Sequence, residues 1–206
     1  MNSTTFAIDH GASGTSNPYV DDTVKWLERA VIGLNLCPFA KGVHVKQQIH
    51  YVVAQTQSVP EVLGLLRQEL VALTETPAEL RDTTLLILPH CLADFLDFND
   101  FLQQVEDVLE SMNLAGVLQV ASFHPQFQFA GTTVDDVTNC TNRAPYPTLH
   151  LLREASIDRA VEVFPEAEAI FERNMEVLES LGMQGWRALD VGPGMAEAGL
   201  TERGGA

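Results

Sequence analysis

The chain has 206 residues, 46% of them hydrophobic, and a formal net charge of −16 at pH 7. That length predicts about one domain with a core of its own, so folding needs neither a metal nor a disulfide. The negative charge would repel phosphate backbones and no basic stripe offsets it, so nucleic acid is not an expected partner. The apolar runs are too short to cross a bilayer, so we do not expect a membrane-spanning protein.

The two ends of the chain and its cysteines indicate where the protein works. Residues 1–17 lack the basic start and apolar stretch of a secretory signal, so we expect a flexible tail there, and residues 188–206 predict a second loose tail. We expect one folded domain over residues 18–187. The cysteines are an odd number without C-x-x-C spacing, which predicts a reducing cytoplasm rather than a disulfide framework. They are Cys37, Cys91 and Cys140.

The first half of the chain predicts alternating helices and strands. An Asn-Pro pair at 17–18 starts a helix, and apolar residues at helical spacing continue it to about Gly33. Residues 48–53 alternate and are rich in β-formers, which predicts the first strand. Ser58 and Glu61 predict a capping box before a second helix.

The middle of the chain predicts two more strands with a helix between them. Residues 83–88 are a continuous β-prone run, typical of a strand buried on both faces. The helix that follows has Asp97 as its predicted cap, and Gly116 ends the turn before a third strand at 117–123. This β-α-β-α-β order predicts parallel strands joined by right-handed helical crossovers.

The last third predicts a long connection, one more strand and a final helix. Residues 124–147 have no periodic apolar pattern, and a loop of this length is usually functional or disordered. Residues 148–153 alternate and predict a fourth strand, and the last helix is predicted from about Pro165 to Gly182. The expected fold is a single α/β domain, with a small, mostly parallel sheet of three to five strands and helices packed on it.

Two histidines at predicted strand ends are the main candidates for chemistry. His124 ends the third strand and His150 lies near the start of the fourth, so antiparallel pairing would bring both imidazoles to one sheet edge, where His90 also emerges. Imidazoles together with a thiolate or carboxylate, here Cys37 or Asp135, suit zinc or iron. The alternative is that each histidine is simply hydrogen-bonded at a strand terminus.

Cys37 is a further candidate, as a metal ligand or a nucleophile. Pro38 pushes it into an extended conformation ahead of a short turn, where backbone amides and Lys41 would lower its pKa. The alternative is a small buried residue that ends the first helix.

Three polar residues are candidates for holding an anionic substrate: Lys41, Asn142 and Arg143. Arg143 is the only base in the long connection, so its guanidinium is predicted to bind a carboxylate or phosphate. The alternative is a bond from Arg143 to Asp135 or Asp136 that staples the loop.

Four separated motifs resemble those of a bacterial family catalogued only as a domain of unknown function. They are WLERAVIGLNLCPFAK, DFLDFND, QVASFHPQFQFAG and TNRAPYPTLHLLRE. The resemblance covers about residues 19–187, and four motifs in one order make it specific. It implies kinship but no activity.

Three hypotheses for function follow from these residues. The first is a small-molecule enzyme acting on an anionic metabolite, with His124 and His150 as zinc or iron ligands or as acid and base, and Cys37 as ligand or nucleophile. The second is a non-catalytic binding or assembly protein whose acidic helices form the partner surface. The third is a thiol-redox protein that uses Cys37.

Overall fold

The computed structural model describes residues 17–163 and 169–193. The helices are α1 (Pro18–Trp26), α2 (Ala40–Val45), α3 (Val59–Glu75), α4 (Phe95–Ser111), α5 (Glu154–Val163) and α6 (Ile170–Ala188). The strands are β1 (Ile49–Val53), β2 (Thr83–Ile87), β3 (Leu118–Phe123) and β4 (Thr148–Arg153). A π-helical turn (Leu27–Ile32) continues α1, and a 3₁₀ helix (Val137–Asn142) lies in the loop after β3.

The strands of the described ranges form one mixed sheet in the order β1-β2-β4-β3. β1 and β2 pair in parallel, whereas β4 pairs antiparallel with both β2 and β3. The prediction of a single α/β domain with a small sheet is confirmed, but the prediction that the sheet is mostly parallel is wrong. β1, β2 and β3 run in the same direction, but only one of the three pairings is parallel, because β4 lies between β2 and β3. The long loop before β4 lets the chain return without a helical crossover.

The helices start near the predicted positions, but the residues that cap them are not always the predicted ones. The predicted cap of α4, Asp97, is wrong, because the carboxylate of Asp94 accepts the backbone N–H bonds of the first turn. Ser58 precedes α3 as predicted, but its side chain makes no capping bond. Instead, Thr56 accepts from the backbone N–H of Ser58 and donates to Glu61. A neighbouring hydroxyl therefore takes over the role predicted for the capping box.

One side of the sheet, which we call the packed face, carries the main hydrophobic core. Helices α3 and α4 cover it, and side chains from both helices and from the strands are almost completely buried there. Members of this core include Val52, Leu66, Leu86, Phe98, Leu149 and Leu151. β2 is buried along its whole length, as its continuous apolar run predicts.

The opposite side of the sheet, which we call the cavity face, has a smaller cluster. α1, the π-helical turn and α2 contribute Trp26, Leu27, Ala30, Val31 and Ala40. Val191 also belongs to this cluster and is 6% exposed, so the predicted loose tail at 188–206 has its start packed against the domain. Residues 194–206 and the predicted tail at 1–16 lie outside the described residues.

Helix α6 is bent rather than ended at Gly182. The backbone there has φ 64° and ψ 167°, in the region that favours glycine. The helix resumes and continues to Ala188. Its predicted start near Pro165 lies outside the described residues. None of the helices within 17–163 and 169–193 combines the length and apolar character needed to cross a bilayer.

Candidate ligand-binding cavity

The structure places His124 and His150 on opposite faces of the sheet. His150 is the third residue of β4 and pairs with Leu85 and Ala121, and its ring is on the cavity face. The ring of His124 lies 5.1 Å from the ring of Phe98 on the packed face. The predicted convergence of the two imidazoles is therefore wrong. His150 pairs with Ala121, which lies three residues before His124. Successive residues of a strand point to opposite faces, so this odd separation is consistent with the two rings lying on opposite sides.

His124 is a structural histidine. Its side chain is fully buried, its Nδ1 accepts from the backbone N–H of Gln126 at 3.0 Å, and its Nε2 lies 3.2 Å from the carbonyl oxygen of Leu92. These partners assign the proton to Nε2, which donates to Leu92. Burial lowers the pKa of His124, and the Leu92 carbonyl opposes that shift. The ring thus joins the loop before α4 to the loop after β3, which is the structural alternative stated from sequence.

The donors expected to hold a metal do not come together. His124 and His150 occupy opposite faces, and Asp135 is exposed in the loop after β3. Among the described residues, no three His, Cys, Asp or Glu side chains are arranged to hold a metal ion. The geometry therefore does not support the zinc or iron site assembled from these residues.

Arg143 and Asn142 staple the loop after β3. Arg143 donates from Nε to the carbonyl oxygen of Phe127 at 3.1 Å and from Nη2 to that of Val134 at 2.8 Å. Asn142 donates from Nδ2 to the carbonyl oxygen of Ser122 at 3.4 Å. The stapling alternative for Arg143 thus fits the structure, although backbone carbonyls rather than the predicted carboxylates accept its hydrogen bonds.

Asn139 is the buried centre of the same loop, a role that sequence reasoning missed. Its Oδ1 accepts from the backbone N–H of Phe129 and the hydroxyl of Thr132, both at 2.9 Å. Its Nδ2 donates to the carbonyl oxygen of Thr133 at 2.8 Å. The long connection is therefore held in one conformation by hydrogen bonds among its own residues.

A cavity of about 320 Å³ lies on the cavity face. The strands form its floor, α1, the π-helical turn and α2 form its roof, and α5 closes one side. The lining is predominantly apolar and includes Trp26, Leu27, Val31, Leu85, Phe123 and Ile157. Sites for small molecules start at roughly 300 Å³ and are mostly apolar, with few polar groups. The cavity has the size and character of such a site.

The π-helical turn shapes the roof of the cavity. Gly33 donates its backbone N–H to the carbonyl oxygen of Glu28 at 2.9 Å, a bond that spans five residues. A Cβ at Gly33 would lie 2.3 Å from the carbonyl oxygen of Arg29, so the turn requires glycine there. Leu27 and Val31 of this turn both line the cavity. Single π-helical turns inside α-helices frequently occur at functional sites.

His150 supplies a polar group inside the cavity. Its ring centroid lies 6.1 Å from that of Phe123, and no described residue hydrogen-bonds to the imidazole. The ring is half-buried and lines the cavity. Burial lowers the pKa of His150 to about 4. At neutral pH the ring is therefore uncharged, with one nitrogen that donates and one that accepts.

Cys37 lines the same cavity, as a thiol rather than a thiolate. The backbone amides of Phe39 and Ala40 face its sulfur and lower its pKa, but burial has the larger effect and raises it overall. The prediction of a lowered pKa is therefore wrong. Lys41, which was expected to assist, is exposed on α2.

Comparison with known proteins shows kinship. A family model described as a protein of unknown function (DUF1415) matches residues 19–188. This stretch contains the whole sheet of the described residues and every residue that lines the cavity. No curated protein and no solved structure matches the chain significantly. The resemblance stated from the four motifs is confirmed, and the cavity lies within the matched region.

Proposed function

The chain belongs to the DUF1415 family, which carries no established activity, and from the site itself we propose that it binds a small, predominantly apolar molecule in the cavity at His150. One observation carries the proposal: a half-buried, neutral imidazole without a hydrogen bond from the described residues faces an apolar cavity of about 320 Å³. A bound molecule with one polar group would satisfy the ring and bury its own apolar surface.

Water competes with such a ligand. A cavity of this size with a polar group can hold ordered water, which would hydrogen-bond to His150 in the free protein. A ligand that replaces this water with an equally good hydrogen bond keeps that interaction, and it gains roughly 25 cal/mol for each Å² of apolar surface that it buries. For a ligand of about eight heavy atoms, roughly 0.5 kcal/mol per atom predicts a Kd on the order of 1 mM.

Benzyl alcohol is a suitable first probe, because it joins an aromatic ring to one hydroxyl. We expect isothermal titration calorimetry to detect its binding at a Kd on the order of 1 mM. Ala121→Leu fills the cavity floor next to His150 and should abolish this binding in a folded protein. Ala155→Leu is the matched control, because Ala155 is exposed on α5. Equal binding by wild type and Ala121→Leu, or none by wild type at tens of millimolar, would overturn the proposal.

Catalysis on the bound molecule is the second candidate function. Cys37 and His150 line one cavity, and a thiol and a neutral imidazole can act as nucleophile and base. In the described residues no hydrogen bond joins them, so substrate binding would have to bring them together. The Cys37 sulfur would then attack an ester carbonyl as its proton passes to His150, the ester C–O bond would break, and His150 would return the proton to the leaving phenol. Phenyl acetate is a fitting test substrate. Acetylation of Cys37 that depends on His150, measured by mass spectrometry, would support this candidate, and an unmodified protein would contradict it.

The other hypotheses from sequence find less support. Lys41, Asn142 and Arg143 are not among the residues that line the cavity, so an anionic metabolite bound there would lack the partners assigned to it. A thiol-redox role for Cys37 needs a thiolate near neutral pH, and its raised pKa opposes that. Binding of a small molecule is the function that the geometry supports best.

A further inference from the structure

The charge on the cavity wall limits what the cavity can hold. Neither lysine nor arginine is among its described lining residues, and Asp82 is the one with a formal charge. The carboxylate of Asp82 accepts from the Ser156 hydroxyl at 2.7 Å, and Arg159 donates to the same hydroxyl at 2.9 Å. The negative charge is thus part of a local network that includes a positive one.

Asp82 in that network is displaced from His150 along the strand direction. Asp82 precedes β2, three positions before Leu85, the strand partner of His150. At about 3.3 Å per residue along a strand, the backbone of Asp82 is roughly 10 Å from the row that holds His150. The hydroxyl of Thr83, between them, already donates to the carbonyl oxygen of Leu151 at 2.6 Å. Away from Asp82, the ligand therefore meets an uncharged ring and side chains that are mostly apolar and carry no formal charge.

We infer that the cavity selects uncharged molecules with an apolar body and one hydroxyl or carbonyl group, which hydrogen-bonds to His150. The inference rests on the proposed binding function. A carboxylate or ammonium moved from water to this position would lose its hydration without gaining an opposite charge, a loss that costs far more than one hydrogen bond returns. A hydroxyl or carbonyl meets a ring that can either donate to it or accept from it.

A series of ligands with one skeleton and different charge tests this selection. We expect calorimetry near neutral pH to give benzyl alcohol at least about tenfold tighter binding than benzoate or benzylamine, since tenfold corresponds to only about 1.4 kcal/mol. The apparent affinity for benzoate should rise about tenfold per pH unit as the pH falls towards the pKa of benzoic acid, because only the neutral acid binds.

Toluene isolates the contribution of His150. In the wild type, the affinity for benzyl alcohol should exceed the affinity expected from its transfer free energy out of water. His150→Leu should weaken the binding of benzyl alcohol about tenfold and leave the binding of toluene unchanged. His90→Leu is the matched control, because His90 is exposed and is not among the cavity-lining residues.

The outcomes separate this inference from the function on which it rests. Benzoate or benzylamine binding more tightly than benzyl alcohol in the cavity, with loss in Ala121→Leu, would overturn the inference and leave the binding function standing. Equal weakening of toluene and benzyl alcohol by His150→Leu would also overturn it. Absence of binding for the whole series would overturn both.

Discussion

The two faces of the sheet use the same residue type in different ways. On the packed face, the His124 ring meets the Leu92 carbonyl, the Gln126 amide and the aromatic ring of Phe98. On the cavity face, the ring of His150 lines the cavity and receives no hydrogen bond from the described residues. Burial lowers the pKa of both rings. A lowered pKa alone therefore does not distinguish the two histidines, whereas the unused hydrogen-bonding capacity of His150 next to open space supports the ligand-binding role that we propose for it.

The comparison extends to the helices that cover each face. α3 and α4 fill the space above the packed face with large side chains such as Leu66 and Phe101. On the cavity face, Ala40 and Ala160 in the covering helices and Ala121 in the sheet have small side chains, which leave open space in the cavity. Close packing leaves few voids in most protein interiors, so an open volume of this size indicates that the cavity face is not built for stability alone.

Replacement of each histidine by leucine should give the largest difference between the faces in the free energy of unfolding. His124→Leu orphans two backbone groups, the Leu92 carbonyl and the Gln126 amide, at about 1–3 kcal/mol each, so we expect a loss of about 4 kcal/mol in the free energy of unfolding. His150→Leu orphans no described group and should change stability by less than about 1 kcal/mol. Urea denaturation measures both variants, and similar losses in the two would break the comparison.

The pH dependence of stability should show His150 separately. In the unfolded chain His150 protonates near its ordinary pKa of 6.5, whereas in the folded protein it stays neutral down to a pKa of about 4. Protons therefore bind preferentially to the unfolded state, and stability is lost as the pH falls from about 6.5 to about 4. At about 1.4 kcal/mol per pKa unit, the loss due to His150 is about 3 kcal/mol.

The control for this pH effect is a comparison of variants. His150→Leu should lose about 3 kcal/mol less than wild type between about pH 6.5 and pH 4. Carboxylates titrate in both proteins, so only the difference between them matters. Parallel stability profiles for wild type and His150→Leu would show that the ring titrates normally.

Replacing a small side chain by a larger one should give a smaller difference in stability between the two faces than the histidine replacements do. Ala54 is 1% exposed in the core of the packed face, so Ala54→Leu overpacks it and should cost about 1–3 kcal/mol. Ala121→Leu extends into the cavity and should change stability by less than about 1 kcal/mol in either direction. Thermal unfolding of both variants measures the difference. A loss at position 121 as large as that at position 54 would contradict an open cavity.

Cysteine reactivity should give the smallest effect. Cys91 is 7% exposed within the core of the packed face, whereas Cys37 lines the cavity. Iodoacetamide should modify Cys37 slowly near neutral pH and faster above its raised pKa, with Cys91 protected until unfolding. Benzyl alcohol at a concentration equal to its Kd should slow the reaction at Cys37 about twofold, because half of the sites are occupied. Peptide mass spectrometry follows each site, and an unchanged Cys37 rate would place the ligand elsewhere.

Local patterns in the sequence predicted the helices and strands, whereas the pairing of distant strands determines where the candidate site residues lie. The Asn-Pro pair at 17–18 and the apolar run at 83–88 mark a helix start and a buried strand, because both signals depend on neighbouring residues. The insertion of β4 between β2 and β3 depends on contacts between distant segments, which those signals do not contain. Alternation alone, however, places His150 on the face opposite to Leu149 and Leu151, and this would have warned against pairing it with His124.

The cavity itself was not foreseen, for a physical reason. It depends on where the π-helical turn and α5 sit above the sheet, and on small residues such as Ala121 that look unremarkable in sequence. Cys37 and His150 were singled out for metal or acid-base chemistry and do share the cavity. Lys41, Asn142 and Arg143 were singled out for their polarity, but the structure uses the latter two to hold the loop.

Nitrogen-15 NMR of the histidine rings tests the central claim most directly. Spectra recorded at about pH 6 with and without benzyl alcohol, and assigned with His150→Leu and His124→Leu, report the protonation and hydrogen bonding of each imidazole. The account predicts a neutral His150 whose nitrogen resonances move on addition of benzyl alcohol, while those of His124 stay in place. A charged His150 in the free protein, or binding that leaves its resonances unmoved, would contradict it.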